Sequence, residues 1–189
     1  MAYFLQDHIR LVFRPAVITL QRKKSMKVVL LNAATLPIYQ YELASLLIGA
    51  IEQGAPMGFE QPLSSQMAEN FFHDLRPQIN SQLLMLWIAR DSHGVVGTVQ
   101  LKMDNAADQT LSGSVTTLLV HPKARRSGIA RKMMRELEET ALDLRCDMLS
   151  SDLQSGTGAE SFYRAQGYRC RSSVVQNSRS DVVYYKPLR

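Results

Sequence analysis

The segment Leu118-Leu119-Val120-His121-Pro122-Lys123-Ala124-Arg125-Arg126-Ser127-Gly128-Ile129-Ala130 constrains this chain more than any other. It reads as an apolar strand, a basic turn and the start of a helix. A helix N-terminus carries about half a positive charge and several N–H groups without an intrahelical partner. A diphosphate satisfies both needs. Gly128 lets phosphates approach the backbone because no Cβ stands in the way. Lys123, Arg125 and Arg126 add positive charge around them. The loop lacks the Gly-Lys-Ser/Thr of a P-loop and is not G-x-G-x-x-G, which counts against nucleotide hydrolysis and dinucleotide binding. The segment therefore implies a phosphate-bearing cofactor held mainly by main chain.

The rest of the chain frames this turn. Residues 27–31 form a short apolar run, a first strand. Thr35 and Pro37 then open a helix with apolar residues at helical spacing from Leu36 to Ile51, ended by Gly54. A loop follows to Pro62, and a second helix runs from Ser64 or Ser65 to about Leu75, stopped near Pro77. The period then changes: 82–90 and 95–103 read as strands joined by the turn Asp91-Ser92-His93-Gly94. After a polar connection, 104–108, comes a strand at 110–120. A helix at 128–144 has Ile129, Met133, Met134, Leu137, Ala141 and Leu144 on one face and a Lys132–Glu136 pair on another. A strand at 147–153 precedes a short helix. That helix opens on the capping box Thr157-Gly158-Ala159-Glu160 and closes at Gly167. Two further strands, 168–175 and 181–186, end the chain. The order β-α-α-β-β-β-α-β-α-β-β predicts an α/β domain, one twisted, mostly antiparallel mixed sheet flanked by about four helices.

Bulk properties exclude several classes. At 189 residues and 46% apolar content the chain suits one globular domain. No apolar run reaches the roughly 20 residues of a membrane-spanning helix. Cys146 and Cys170 form no disulfide framework and read as reduced thiols of a cytoplasmic protein. The four histidines are scattered without metal-ligand spacing, so no metal is expected. Most of the net charge of +5 sits in residues 1–25, where Arg10, Arg14, Arg22, Lys23 and Lys24 face only Asp7. This divides the chain into a basic N-terminal extension, 1–26, and a domain, 27–189, with Met26 an alternative start of the functional unit. Lacking an aromatic RNA-binding motif, the extension does not imply nucleic acid. Asp7, Arg10 and Arg14 interrupt any signal-peptide core.

At Val120-His121-Pro122 with Arg125-Arg126-Ser127-Gly128-Ile129-Ala130, and again at Ala159-Glu160-Ser161-Phe162-Tyr163-Arg164-Ala165-Gln166-Gly167-Tyr168, the chain resembles the GNAT superfamily of acetyl-CoA-dependent N-acetyltransferases. The two motifs stand one helix and one strand apart, as in that family. Residues 46–59, 84–88, 115–130 and 184–188 also look like the tabtoxin-resistance acetyltransferases, which modify small molecules. The resemblance implies a GNAT-like fold and acetyl-CoA as acyl donor. It assigns cofactor binding to Leu118, Leu119, Val120, Arg125, Arg126, Ser127, Gly128, Ile129 and Ala130. In the family the strand before the turn beds the pantetheine arm, and one of its N–H groups, here Leu119 or Val120, faces the thioester oxygen.

Acetyl transfer to an amine needs a neutral amine, a polarised carbonyl and a proton for the departing thiolate. The resemblance places Tyr163 near the sulfur as general acid. Many relatives carry a glutamate early in the strand before the turn; here Ser112-Gly113-Ser114-Val115-Thr116-Thr117 has no carboxylate. Asp152 is the replacement named as general base, with His121 and unassisted loss of the proton to water as alternatives. Acceptor specificity is assigned to the first helix, the 54–62 loop and the second helix. There Glu42, Glu52 and Glu60 attract a cation, and Tyr39, Tyr41, Phe59 and Phe71 supply apolar walls. The expected acceptor is a small-molecule amine. The alternatives are a protein N-terminus or lysine, or a non-catalytic acyl-CoA-binding module, and a homodimer is compatible with all three.

Overall fold

The computed structural model describes residues 26–104, 111–176 and 179–189. The basic extension up to residue 25, most of the 104–108 connection and the tip of the last hairpin lie outside the described residues. The elements are β1 (Lys27–Leu31), α1 (Leu36–Glu52), α2 (Ser65–His73), α3 (Arg76–Asn80), β2 (Leu84–Asp91), β3 (Gly94–Asp104), β4 (Ser112–Val120), α4 (Ile129–Asp143), β5 (Met148–Gln154), α5 (Gly158–Ala165), β6 (Arg169–Gln176) and β7 (Arg179–Pro187). A 3-10 turn, Pro122–Ala124, lies between β4 and α4. The strands form one sheet of seven in the order β1-β2-β3-β4-β5-β7-β6. Every adjacent pair is antiparallel except β4–β5, whose parallel pairing is made by the α4 crossover. This is the mixed, mostly antiparallel sheet expected, with the four expected helices plus the five-residue α3.

Apolar residues alternate along the central strands and build a core on each face of the sheet. One face packs Trp87, Val99, Leu101, Val115 and Leu149 against Met133, Met134 and Leu137 of α4 and Tyr163 of α5. The other packs Leu84, Leu86 and Ile88 against Leu43 and Leu47 of α1, Phe72 of α2 and Ile79 of α3. Gly97 lets α4 lie close: a Cβ there would stand 3.0 Å from Met133 Cε and 3.1 Å from the Leu119 carbonyl oxygen. The first turn of α4 is thus pinned beside the end of β4. Among the described residues no helix is long and apolar enough to cross a membrane.

Several local expectations are corrected. Thr35 does not cap α1 with its side chain; Asn32 Oδ1 instead accepts from the Ala34 and Thr35 N–H groups. Pro77 opens α3 rather than only stopping α2, because its missing N–H is harmless in a first turn. Leu144 is the C-cap of α4 and is 41% exposed, so the buried face ends at Ala141. Lys132 donates to the Met26 carbonyl, and the i,i+4 ion pair on α4 is Arg135–Glu139. The expected capping box is not formed. Thr157 donates to the Gln154 carbonyl, while Glu160 accepts from the Gly156 N–H.

Candidate active site

Two departures from regular pairing open the sheet at its centre. In the β3–β4 ladder Thr98 opposes Leu119 and Gln100 opposes Thr116, so Val99 alone faces Thr117 and Leu118. Thr117 takes the extra residue of this bulge at a φ of 51°, and the bulge bends β4. The parallel β4–β5 pairing covers Ser112–Ser114 against Met148–Ser150 and stops there. Beyond it the strands part, and the edge of β4 facing β5 has no strand partner. Between them lies an open cleft of about 1230 Å³. It is lined by Ser114–Val120 on one side and by Ser150–Gln154 and α5 on the other. Ala50 and Ala55–Gly58 close a third side.

The basic turn lies at the mouth of this cleft. Its backbone is shaped by two left-handed residues, Arg126 at φ 61° and Gly128 at φ 82°. Gly128 is the N-cap of α4 and no side chain caps the helix. The first helical bond runs from the Lys132 N–H to the Gly128 carbonyl, which leaves the Ile129, Ala130 and Arg131 donors free of it. Apart from its chain neighbours, nothing lies within 4 Å of a Cβ built on Gly128, and Gly128, Ile129, Ala130 and Arg131 all border the cleft. Arg125 is tied back by its Nε to the Val120 carbonyl, 3.2 Å away. Leu118, Leu119, Val120, Arg125, Arg126, Gly128, Ile129 and Ala130 all line the cleft, and Arg131 joins them. Ser127 is not part of the lining and its hydroxyl donates to the Ala124 carbonyl, so it offers a ligand only main chain. His121 is held in the turn, its Nδ1 accepting from the Lys123 N–H.

Tyr163 stands on the opposite wall, 3% exposed, with its ring edge-on to Phe162 and Tyr168. Its hydroxyl lies 3.1 Å from Ser151 Oγ, which is itself 3.0 Å from the Val115 carbonyl oxygen. Burial pushes the phenol up to about 12, a rise the Ser151 contact partly opposes. The helix carrying Tyr163 is anchored to β7. The Tyr184 hydroxyl donates to Glu160 Oε2 at 2.7 Å and accepts from Arg164 Nε at 2.7 Å. The Tyr184 hydroxyl and the Gly156 N–H hold the Glu160 carboxyl below its ordinary value.

Asp152 lines the cleft and is exposed, two residues beyond the end of the β4–β5 pairing. A second carboxylate reaches the same place indirectly. Asp104 accepts from Ser114 Oγ at 3.0 Å, and Ser114 lies 3.4 Å from Ser150 Oγ, both serines lining the cleft. Sequence reasoning missed Asp104 because it falls at the start of a stretch read as a connection. Only the register of β3 against β4 brings it to Ser114.

On the acceptor side, Ala50 of α1 and Ala55–Gly58 of the loop after it reach the cleft. Glu42 is engaged in structure, accepting from the Val95 N–H. Tyr39 accepts from Arg90, and Phe59, Phe71 and Phe72 stack edge to face. None of these, nor Tyr41, Glu52 or Glu60, lines the cleft.

The fold is shared with known proteins. Residues 83–170 match the family model of the acetyltransferase (GNAT) domain. The chain has the GNAT fold, and its residues 83–170 are similar to a GNAT acetyltransferase domain. The same fold occurs in an N-acetyltransferase from Staphylococcus aureus Mu50, with a TM-score of 0.68 at 13% identity over 87% of this chain and 99% of that one. A ribosomal-protein-alanine N-acetyltransferase from Brucella melitensis gives 0.67 at 19% identity, over 85% and 99%. The yncA protein of Salmonella typhimurium, solved with its cofactor acetyl-CoA, gives 0.67 at 13% identity, over 87% and 94%. The match to the GNAT domain spans β2 through α5, the elements that build the cleft and its basic turn.

The residues of this cleft fit acetyl-CoA. Free helix N-terminal donors beside Arg125, Arg126 and Arg131 suit a diphosphate. The unpaired edge of β4 suits an amide-bearing arm, which can add to it as a strand would. Among the described residues no group of side chains could hold a metal ion.

Proposed function

We propose that this chain is an acetyl-CoA-dependent N-acetyltransferase acting on the primary amine of a small molecule. One observation carries the reading: the uncapped start of α4, the unpaired edge of β4 and Tyr163 all line one cleft. When bound there, acetyl-CoA supplies an acetyl group activated as a thioester. The main-chain N–H groups from Ser127 to Ala130 would meet its diphosphate, with Arg125 and Arg126 adding charge. Main chain of Leu118, Leu119 and Val120 would align its arm, and an N–H of Leu119 or Val120 would polarise the carbonyl. Tyr163 supplies the proton for the departing sulfur. Asp152, exposed on the same cleft wall, draws in a cationic amine and takes its proton.

The likeness to the tabtoxin-resistance enzymes supports a small acceptor. The similarity to a ribosomal-protein-alanine N-acetyltransferase favours a second reading, a peptide N-terminus. Calorimetric titration with acetyl-CoA, followed by thiol-release assays on small primary amines and on short peptides, separates the two. Saturable binding with thiol release on small amines is the expected result. Release on peptides alone would move the acceptor class, and no binding at millimolar acetyl-CoA would end the acetyltransferase reading.

A further inference from the structure

Three polar groups meet where β4 and β5 part. Ser151 Oγ lies between the Val115 carbonyl oxygen, 3.0 Å away, and the Tyr163 hydroxyl oxygen, 3.1 Å away. Ser151 and Tyr163 are each 3% exposed. A serine hydroxyl has one proton to give and a carbonyl has none. Ser151 is the donor within reach of both oxygens, so its single proton goes either to the Val115 carbonyl or to the Tyr163 oxygen, and the phenol's own proton stays free for the cleft. If the phenol loses its proton, the phenolate becomes the stronger acceptor for that single serine proton. The proton reaches it by rotation about the Cβ–Oγ bond, with no heavy atom moving.

We propose that Ser151 is a positioning residue for Tyr163: it orients the phenol while the phenol holds its proton, and turns its own proton onto the phenolate once that proton has gone. This rests on the acetyltransferase reading. In that reaction a carbon–nitrogen bond forms and the carbon–sulfur bond breaks. The electron pair stays on sulfur, and sulfur takes the Tyr163 proton. The phenolate later recovers a proton from solvent, to which Asp152 passes the one it took from the amine. A phenol pushed up to about 12 by burial is a reluctant acid. The same low-dielectric site makes a thiolate more basic, and a donor turned onto the phenolate narrows the remaining gap. The Val115 carbonyl gives up a neutral hydrogen bond while a charge-assisted one forms.

The alternative is that Ser151 only supplies the hydrogen bond that Val115 lacks beyond the last β4–β5 pair. Four variants separate the two: Ser151→Ala, Ser151→Thr, Tyr163→Phe and the double Ser151→Ala/Tyr163→Phe. The first readout needs no turnover. With tyrosines labelled at the 13Cζ position, the Tyr163 resonance is the one absent from Tyr163→Phe. It is expected to shift in Ser151→Ala and to return toward the wild-type position in Ser151→Thr. The second readout is thiol release from acetyl-CoA with the fastest amine of the panel. Ser151→Ala is expected to lower kcat roughly tenfold with KM for acetyl-CoA unchanged, and to have no further effect in the Tyr163→Phe background. If Ser151→Ala does not fold, Ser151→Cys, similar in shape and a poor donor, replaces it. An unmoved Tyr163 resonance, or an equal slowing with and without the Tyr163 hydroxyl, overturns the proposal while leaving the acetyltransferase reading intact. A wild-type protein that releases no thiol overturns that reading, and the role of Ser151 with it.

Discussion

Tyr163 combines two properties that pull against each other. Burial keeps it dry and fixed among Phe162 and Tyr168, which suits a proton donor that must meet one atom. Burial also raises its pKa to about 12, so the phenol stays protonated across the whole working range. A phenol with a raised pKa keeps its proton below that value, so Tyr163 imposes no alkaline loss of rate. Thiol release is therefore expected to hold level from about pH 8 to 10 as far as this residue decides it. Tyr163→Phe is expected to lower kcat by roughly a hundredfold while leaving acetyl-CoA affinity within a factor of two, measured by calorimetry. An unchanged kcat would remove the phenol from the chemistry. Gly128 makes a different kind of demand. Its φ of 82° is costly for any other residue, although nothing crowds its missing Cβ. Gly128→Ala should cost about 1 kcal/mol of stability in a denaturant titration and weaken acetyl-CoA binding. Both residues are legible in the sequence because local signals mark them, a glycine opening a helix and an aromatic pair in a short helix. Asp104 is not, since nothing in its own neighbourhood says that it will meet Ser114 across two strands.

At the scale of elements, the site exists because β4 is irregular and α5 is anchored. The bulge at Thr117 has no sequence mark: a β-branched residue at positive φ is disfavoured, and only the surrounding pairing enforces it. The strands and the helices other than α3 are readable from period and turn residues, and the turn at Gly54 and the end of α5 at Gly167 lie where those glycines predict. The register was not readable, because it depends on partners distant in the chain. The anchoring of α5 replaces the capping box that Thr157 and Glu160 suggest. Glu160 spends one oxygen on the Gly156 N–H and the other on the Tyr184 hydroxyl. Its carboxyl is held below the ordinary value, first by Tyr184 and then by Gly156. A depressed carboxyl stabilises the fold above the ordinary carboxylate range, and the contribution is lost as pH falls through the folded value. Melting temperatures of wild type and Glu160→Gln, taken from pH 7 down to pH 3, are expected to differ most at neutral pH and to converge toward acid. A constant difference would mean that the carboxylate charge plays no part in holding α5.

On the scale of the whole molecule, the sheet is two unequal halves joined by a short seam. Five pairs of backbone partners link β1 to β2 and seven link β5 to β7, but only three link β4 to β5. Past Ser114 the seam is carried by the Ser151–Val115 hydrogen bond and by α4 and α5 packing on one face. A ligand seated in the cleft would bridge the halves where the strands do not. Binding to the folded state alone stabilises by about 2.7 kcal/mol at a hundredfold excess over Kd. For a chain of this size that is roughly 5 to 10 °C in Tm. The gain should not be spread evenly. Amide hydrogen exchange at residues 115–120 and 151–154 is expected to be faster than in β2 and β3 without acetyl-CoA, and to slow selectively when acetyl-CoA is added. The uncapped amides of residues 129–131 should become protected in the same titration. Protection confined to the α4 start, with 115–120 unchanged, would mean that the diphosphate docks without the arm entering the seam. In that case the cleft would bind CoA without delivering its thioester to Tyr163.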